Sequence, residues 1–293
     1  MSGPLTDPFF SALKKGAQQA AKDSGVTFQY DGPADTKNLG PDMARLEQAA
    51  VAKKPDALVV SSFIPDAQDA GIKQATVAGI PVVFVNAGSA GWKKLAGVTY
   101  VGEDATLVGQ QAGERMAATG AKTGLCVNHV PGNPTLEARC TGFTQAMEKA
   151  GGKVIPLNIP FADATNPTTV TQAITGALRA NSSIGGVFTL GSGIAENAVK
   201  AVGSLNASGK VTIGTTDLSA NVLTAIKNGK LLFSVDQQPY LQGYYSVLIA
   251  AQKVRFGLAP VAPVTTAPLF ITKDNVDQVM KINSTQGGIR GAS

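Results

Sequence analysis

The stretch Leu231-Leu232-Phe233-Ser234-Val235-Asp236-Gln237-Gln238-Pro239-Tyr240 joins two kinds of chain. Its first half is an apolar run of strand length, and its second half carries a carboxylate and two amides. A helix is expected to open at Pro239, because the first helical turn has no use for the N–H that proline lacks, and to run on through Ala251. Hydrogen-bonding side chains therefore collect where a strand ends and a helix begins, which is where open α/β sheets bind ligands. Alternation along a strand sends Asp236 and Gln237 to opposite sides. Gln237 is the expected ligand contact, and Asp236 the residue that orients the segment.

The same unit recurs on either side of this stretch. Upstream, 57–61 and 80–86 are almost continuously apolar and β-branched, with a helical segment 67–78 between them. Runs apolar on both faces that alternate with helices indicate a buried parallel sheet. Before them lie a helix over 11–24, with Ala12, Leu13, Gly16, Ala17 and Ala20 on one small face, an alternating strand Val26–Tyr30, and a helix over 40–54. A short strand 100–104 and a helix 107–119 follow. The pattern then starts again, with strands at 123–128, 154–159, 186–190 and 211–217 and a helix after each. These make two βα arrays of about five units each. Two doubly wound domains accommodate them better than one sheet of ten strands. A (β/α)8 barrel has too few strands, and Val264 to Thr272 reads as a return strand.

Composition narrows the function. Of 293 residues, 44% are hydrophobic and 15% charged, a globular balance without a low-complexity block. The net charge of +5 is scattered in pairs such as Lys14-Lys15 and Lys53-Lys54, with no interleaved aromatics, so a nucleic-acid partner is not expected. No apolar run is long enough for direct membrane insertion. Cys126 ends an apolar segment and Cys140 lies in the next helix, a separation that a disulfide can bridge. Two buried free thiols are the alternative, and the disulfide would imply an oxidising compartment.

Catalysis finds little support. His129 is the only histidine, and it sits in a turn where a solvated loop residue would serve as well. No Gly-x-Ser-x-Gly elbow is present, and one His with two separated Cys makes no metal cluster. Gly191-Ser192-Gly193 lacks the third glycine of a dinucleotide loop, since Glu196 stands in its place. No enzyme, metal or cofactor is expected. What recurs at strand ends and helix starts is polar: Asp7, Ser61, Asn86, Glu103, Arg139, Asp217 and Gln237. Carboxylate, amide and guanidinium groups suit adjacent hydroxyls that donate and accept together. Phe9 and Phe10 offer flat faces for the C–H side of a sugar ring, although one of them is expected to serve the core. Arg139 could instead pair with Glu137 or Glu148 at the surface.

Five segments in order give a family resemblance: Asp7-Pro8-Phe9-Phe10, Gly79-Ile80-Pro81-Val82-Val83, Arg139-x-x-Gly142-Phe143, Thr216-Asp217-Leu218-Ser219 and Asp236-Gln237-Gln238-Pro239. The chain resembles, over essentially its whole length, the type I periplasmic sugar-binding proteins of ABC transporters, the ribose-binding and LacI-like superfamily. The resemblance implies two Rossmann-like lobes joined by three crossovers, with residues 1–104 plus 237–264 in one and 105–236 plus 265–293 in the other. It implies that Asp7, Phe9, Phe10 and Asn86 meet the sugar from the first lobe. Arg139 would clamp it from the second lobe, with Asp217 as its partner carboxylate and Gln237 as the crossover amide. It also implies a monomer in the periplasm or at the outer surface, delivering a small carbohydrate to permease subunits. The effector core of a LacI-type regulator is the alternative.

The chain departs from that pattern at Gly191, where an Asn is usual, at Thr216, where an aromatic is usual, and at Asn86-Ala87, where Asp-Arg is usual. A polyol different from ribose, or larger, is therefore expected. The family's first strand and signal peptide have no counterpart before Asp7. This reads as a trimmed or misannotated start; with a start at Met1 the first sheet is expected to lack a central strand and to fold poorly.

Overall fold

Val82 to Val85 are no more than 1% exposed, and runs of this kind build two separate sheets. The computed structural model describes residues 1–35 and 37–292. Its strands are β1 (Leu58–Val60), β2 (Val82–Val85), β3 (Thr99–Glu103), β4 (Thr123–Asn128), β5 (Lys153–Asn158), β6 (Ile184–Thr189), β7 (Thr212–Thr216), β8 (Phe233–Asp236), β9 (Val264–Ala267) and β10 (Leu269–Ile271). The helices are α1 (Pro8–Ser24), α2 (Leu39–Ala52), α3 (Pro65–Val77), α4 (Ala105–Ala118), α5 (Pro134–Lys149), α6 (Pro167–Ala180), α7 (Ser192–Ser204), α8 (Ala220–Lys227), α9 (Pro239–Phe256) and α10 (Val276–Thr285).

The first sheet has the order β1-β2-β3-β9 and is wholly parallel. The second has the order β10-β8-β7-β6-β4-β5, parallel except for β10, which returns antiparallel to β8. The fold is the periplasmic binding protein type I arrangement. The chain passes between the sheets three times: after β3, after β8, and between β9 and β10. The last passage falls beyond the expected limit at 264/265, because Thr265 and Ala267 still pair with β3.

Two helix pairs brace the passages, α1 against α9 and α4 against α5. Both pairs touch backbone to backbone at glycine. A Cβ on Gly16 would lie 1.9 Å from the Tyr240 carbonyl oxygen, and one on Gly243 would lie 1.9 Å from that of Leu13. In the other pair, Gly109 meets the Arg139 carbonyl oxygen at 2.0 Å and Gly142 meets that of Thr106 at 2.1 Å by the same measure. No side chain fits at these crossings. The small face of α1 is therefore a docking surface for α9, and the α4 contact fixes the backbone of Arg139.

Val26–Tyr30, read as a strand, runs without a strand ladder. The reason lies in the gap between it and β1. Among the described residues, Met1 and Ser2 enter that gap: Ser61 N donates to Met1 O (3.0 Å), the Met1 amino group donates to Val59 O (2.5 Å), and Ser2 N donates to Asp31 O (3.2 Å). This is one rung of a parallel strand. Burial at that position lowers the Met1 amine to about 6. Along the rest of the β1 edge runs a cavity of about 590 Å³, with Val26, Phe28, Val59, Val247 and Ala250 in its walls. Among the described residues, the chain at 26–31 forms no strand ladder across that cavity.

The two cysteines do form a disulfide, with Cα atoms 5.8 Å apart. It ties the end of β4 to α5, the helix that carries Arg139. No helix among the described residues is long and apolar enough to cross a membrane.

Candidate functional site

The carboxyl ends of the strands in both sheets converge on a cavity of about 150 Å³. Asp7, Phe9 and Phe10 reach it from the start of α1, Asn86 from the end of β2, Asp217 from the end of β7, and Gln237 from the end of β8. Arg139 reaches it from α5, whose N-terminus is capped by Asn133. Asn86 (φ 64°) and Asp217 (φ 68°) adopt the left-handed conformation just past their strands. Asn and Asp tolerate that region better than other side chains, through local hydrogen bonds. The two lobes therefore use the same strand-end device to turn a polar group inward.

Asn86, Gln237 and Asp217 form one chain of hydrogen bonds. Asn86 Nδ2 donates to Gln237 Oε1 (3.2 Å), and Gln237 Nε2 donates to Asp217 Oδ1 (2.5 Å). The Gln237 carbonyl is held in turn by Gln242 Nε2 (3.0 Å) and Thr266 Oγ1 (2.8 Å). Asp236 points the other way, as alternation requires. Its Oδ1 accepts from Gln238 N (2.7 Å) and its Oδ2 from Arg290 Nε (2.6 Å). Asp236 anchors the passage to the C-terminal segment and does not line the cavity.

Arg139 has a different partner from the one expected. Its Nε and Nη2 donate to the two carboxylate oxygens of Glu103 at 2.6 and 2.8 Å, with side chains only 3% and 0% exposed. Nη1 donates to Thr216 Oγ1 (3.0 Å). Neither the surface pair with Glu137 or Glu148 nor a pair with Asp217 forms, because α5 turns Arg139 inward toward the end of β3. Burial disfavours the guanidinium charge, but Glu103 outweighs it and the group is held more firmly protonated than usual. Glu103 is thereby removed from the cavity wall. Ser61 is removed too: its Oγ shares a hydrogen bond with Ser2 Oγ (2.7 Å) and does not line the cavity.

The carboxyl of Asp217 is pushed up to about 7 by burial, with Arg139 and Gln237 offsetting part of the effect. Asp7 is also raised by burial, although its Oδ1 accepts from Phe9 N (2.9 Å) as the cap of α1. Both carboxylates keep one oxygen without a hydrogen bond among the described residues, as does Asn86 with its Oδ1. Phe10 stands edge-on to Phe9 (5.1 Å) and to Phe63 (5.8 Å). Phe9 is also packed with Leu13 and Val85, the core role foreseen for one of the pair.

Among the cavity-wall residues that sequence reading did not assign to the ligand are His129, Asn133 and Phe161. Asn133-Pro134 does carry a helix-start signal, and the cap it forms is what brings Asn133 to the site. Phe161 lies in a short 3-10 turn after β5 and carries no pattern that would single it out. His129, read as a loop residue that solvent could reach, is instead drawn in, and burial together with Arg139 lowers it to about 4.

A family model for the periplasmic binding protein domain matches residues 1–258. The ribose import binding protein of Bacillus subtilis strain 168 is 30% identical over 82% of this chain and 75% of its own length. The xylose/arabinose-binding protein XylF of Sulfolobus acidocaldarius is 25% identical over 96% of this chain and 72% of its own. Among solved structures, a carbohydrate transporter from Acidothermus cellulolyticus 11B, in complex with myo-inositol, is 36% identical with a TM-score of 0.85. That match covers 97% of this chain and 95% of the other. The chain belongs to the periplasmic binding protein family.

Proposed function

We propose that this protein is the solute receptor of an ABC import system and that its interlobe cavity takes a neutral monosaccharide or cyclic polyol. The observation that carries the reading is the charge balance of the cavity. Among the described residues, the one guanidinium there is neutralised by a bidentate carboxylate, so none of them leaves a free cation to hold a sugar acid or a phosphate. The free oxygens of Asp7, Asp217 and Asn86 lie among aromatic edges and faces, a combination that suits ring hydroxyls and C–H faces. The relative solved with myo-inositol, and those named for ribose and for xylose or arabinose, support the same ligand class.

The proposed contacts are Asp7, Phe9, Phe10, Asn86, Arg139, Asp217 and Gln237. The lobes are 1–104 with 237–264 and 105–236 with 265–293, the third limit extended to Ala267 by the β9 pairing. Ligand bridges the lobes and favours their closed arrangement, which excludes water and offers the permease a surface that the open form lacks. A receptor working outside the cytoplasm accords with the Cys126–Cys140 disulfide. The family consists of binding receptors rather than enzymes. The Bacillus subtilis relative is named an import binding protein, which favours this role over a LacI-type regulator.

A thermal-shift screen tests the reading, with myo-inositol, D-ribose, D-xylose, L-arabinose, D-glucose and D-fucose as ligands. A saturable rise in melting temperature with at least one of them is expected, because a ligand that binds only the folded state stabilises it. A flat response to the whole panel, and to further pentoses, hexoses and polyols, refutes it.

A further inference from the structure

The end of β4 brings His129 to the boundary of two spaces. One is the interlobe cavity, and the other is an adjoining hollow of about 200 Å³ floored by Gly191 to Ile194. Asp7, Phe9 and Asp217 border both as well. The turn is fixed by Asn128, whose Oδ1 accepts from Val130 N (3.0 Å) across His129.

The two nitrogens of the ring meet different surroundings. Nδ1 is sealed from solvent and has no hydrogen-bond partner among the described residues. Nε2 is not among the sealed atoms, and it too makes no hydrogen bond with any described residue. Its edge faces Gly191, where a Cβ would come within 3.2 Å of Cε1 and 3.4 Å of Nε2. The end of β6 thus supplies no side chain at this point, and the imidazole from β4 occupies the space. Burial and the neighbouring Arg139 disfavour a charged ring. The neutral ring has a single N–H, and a sealed N–H without an acceptor is the rarer and costlier arrangement in folded proteins. The proton therefore belongs on Nε2, the nitrogen that faces open space.

We infer that His129 is a specificity-determining ligand contact, whose Nε2–H donates a hydrogen bond to a solute oxygen on the side of the cavity where Asp7 and Asp217 accept. An oxygen placed there must accept from the imidazole while donating to a carboxylate. A hydroxyl does both, whereas a deoxy position does neither and an ether does only the first. The inference deepens the carbohydrate reading and rests on it for the ligand, but not for the state of the ring.

His129 is the only histidine of the chain, so the test needs no assignment. Untagged protein labelled with 15N-histidine is followed in two-bond 1H–15N spectra between pH 6 and pH 8, first alone and then with myo-inositol and the other sugars of the screen. The expected result is a neutral ring protonated at Nε2 throughout, with the Nε2 resonance moving when a sugar saturates the site. An Nδ1–H tautomer, an imidazolium, or a ring untouched by a bound sugar overturns the inference. Should no carbohydrate bind, the ligand reading fails by itself, and the tautomer still tests the ring.

Two variants separate contact from packing. His129→Phe is expected to weaken the best sugar at least about tenfold, through the loss of one donor to a buried oxygen. The melting temperature of the unliganded protein stays the same or rises, since an unpaired buried nitrogen is removed. His129→Gln, which keeps an N–H donor, recovers part of the affinity. A lower melting temperature with unchanged affinity assigns the ring to packing and refutes the inference.

Discussion

Glu103→Gln is the substitution whose cost the structure defines most directly. The change keeps shape and volume but removes the charge that faces Arg139. Wild-type Arg139 spends Nε and Nη2 on two carboxylate oxygens at 2.6 and 2.8 Å, with both side chains almost fully buried. Its remaining hydrogen-bond partners, Thr216 Oγ1 at 3.0 Å and the Leu190 carbonyl at 3.4 Å, are neutral. A buried ion pair broken on one side costs about 3–5 kcal/mol, because the surviving charge stays desolvated and unpaired. The pair also ties β3 of the first sheet to α5 of the second lobe, so the loss is felt by both lobes.

Urea unfolding read by two probes tests this. The single tryptophan, Trp92, reports the first lobe, and far-UV circular dichroism reports both. Glu103→Gln is expected to move both transitions to lower urea. The double variant Glu103→Leu with Arg139→Met is expected to regain most of the loss, since removal of both charges leaves none unpaired. A single-variant loss under about 1 kcal/mol, in the range of an exposed pair, refutes the reasoning. So does a double variant no more stable than the sum of its parts.

Asp217→Asn trades affinity against stability in a pH-dependent way. The folded-state pKa of Asp217 is raised to about 7 from its ordinary 3.8. Its contribution to stability is therefore complete below pH 4 and lost as pH rises through 7. The amide is expected to stabilise unliganded protein by up to a few kcal/mol at pH 8 and by nothing near pH 4, while sugar affinity falls at least about tenfold at pH 7. Equal melting curves for the two proteins at pH 8 would contradict the raised pKa. Gly243→Ala is expected to destabilise by about 1–3 kcal/mol or more, because its Cβ cannot fit 1.9 Å from the Leu13 carbonyl oxygen. Gly176→Ala in α6, with nothing within 4 Å of the new Cβ, is expected instead to stabilise by about 0.5–1 kcal/mol. Melting temperatures that move in the same direction for both would show that the helix crossing is not the cause.

Local chemistry made much of this protein legible from sequence. Apolar β-branched runs at 57–61 and 80–86 could only be buried strands, and Pro239 after Gln237-Gln238 could only open a helix. The period of 2 along β8 was enough to separate Gln237 from Asp236, and the structure bears that out. The spacing of Cys126 and Cys140 allowed a disulfide, and one forms. These features depend on neighbours within one strand–helix unit.

Contacts between distant units are where the reading went astray. Arg139 finds Glu103, 36 residues away, because the backbone contact of Gly109 with Arg139 brings the end of β3 to α5. Ser61 turns to Ser2, which lies beside β1. Val26–Tyr30 alternates like a strand yet has little to pair with, since ladder formation requires a neighbour that its own residues do not supply. His129 follows the same rule. A lone histidine in a turn carries no sign of which nitrogen will be sealed and which left open. That was decided by the side chain missing at Gly191, on another strand, and by the burial that the two sheets impose where their carboxyl ends meet.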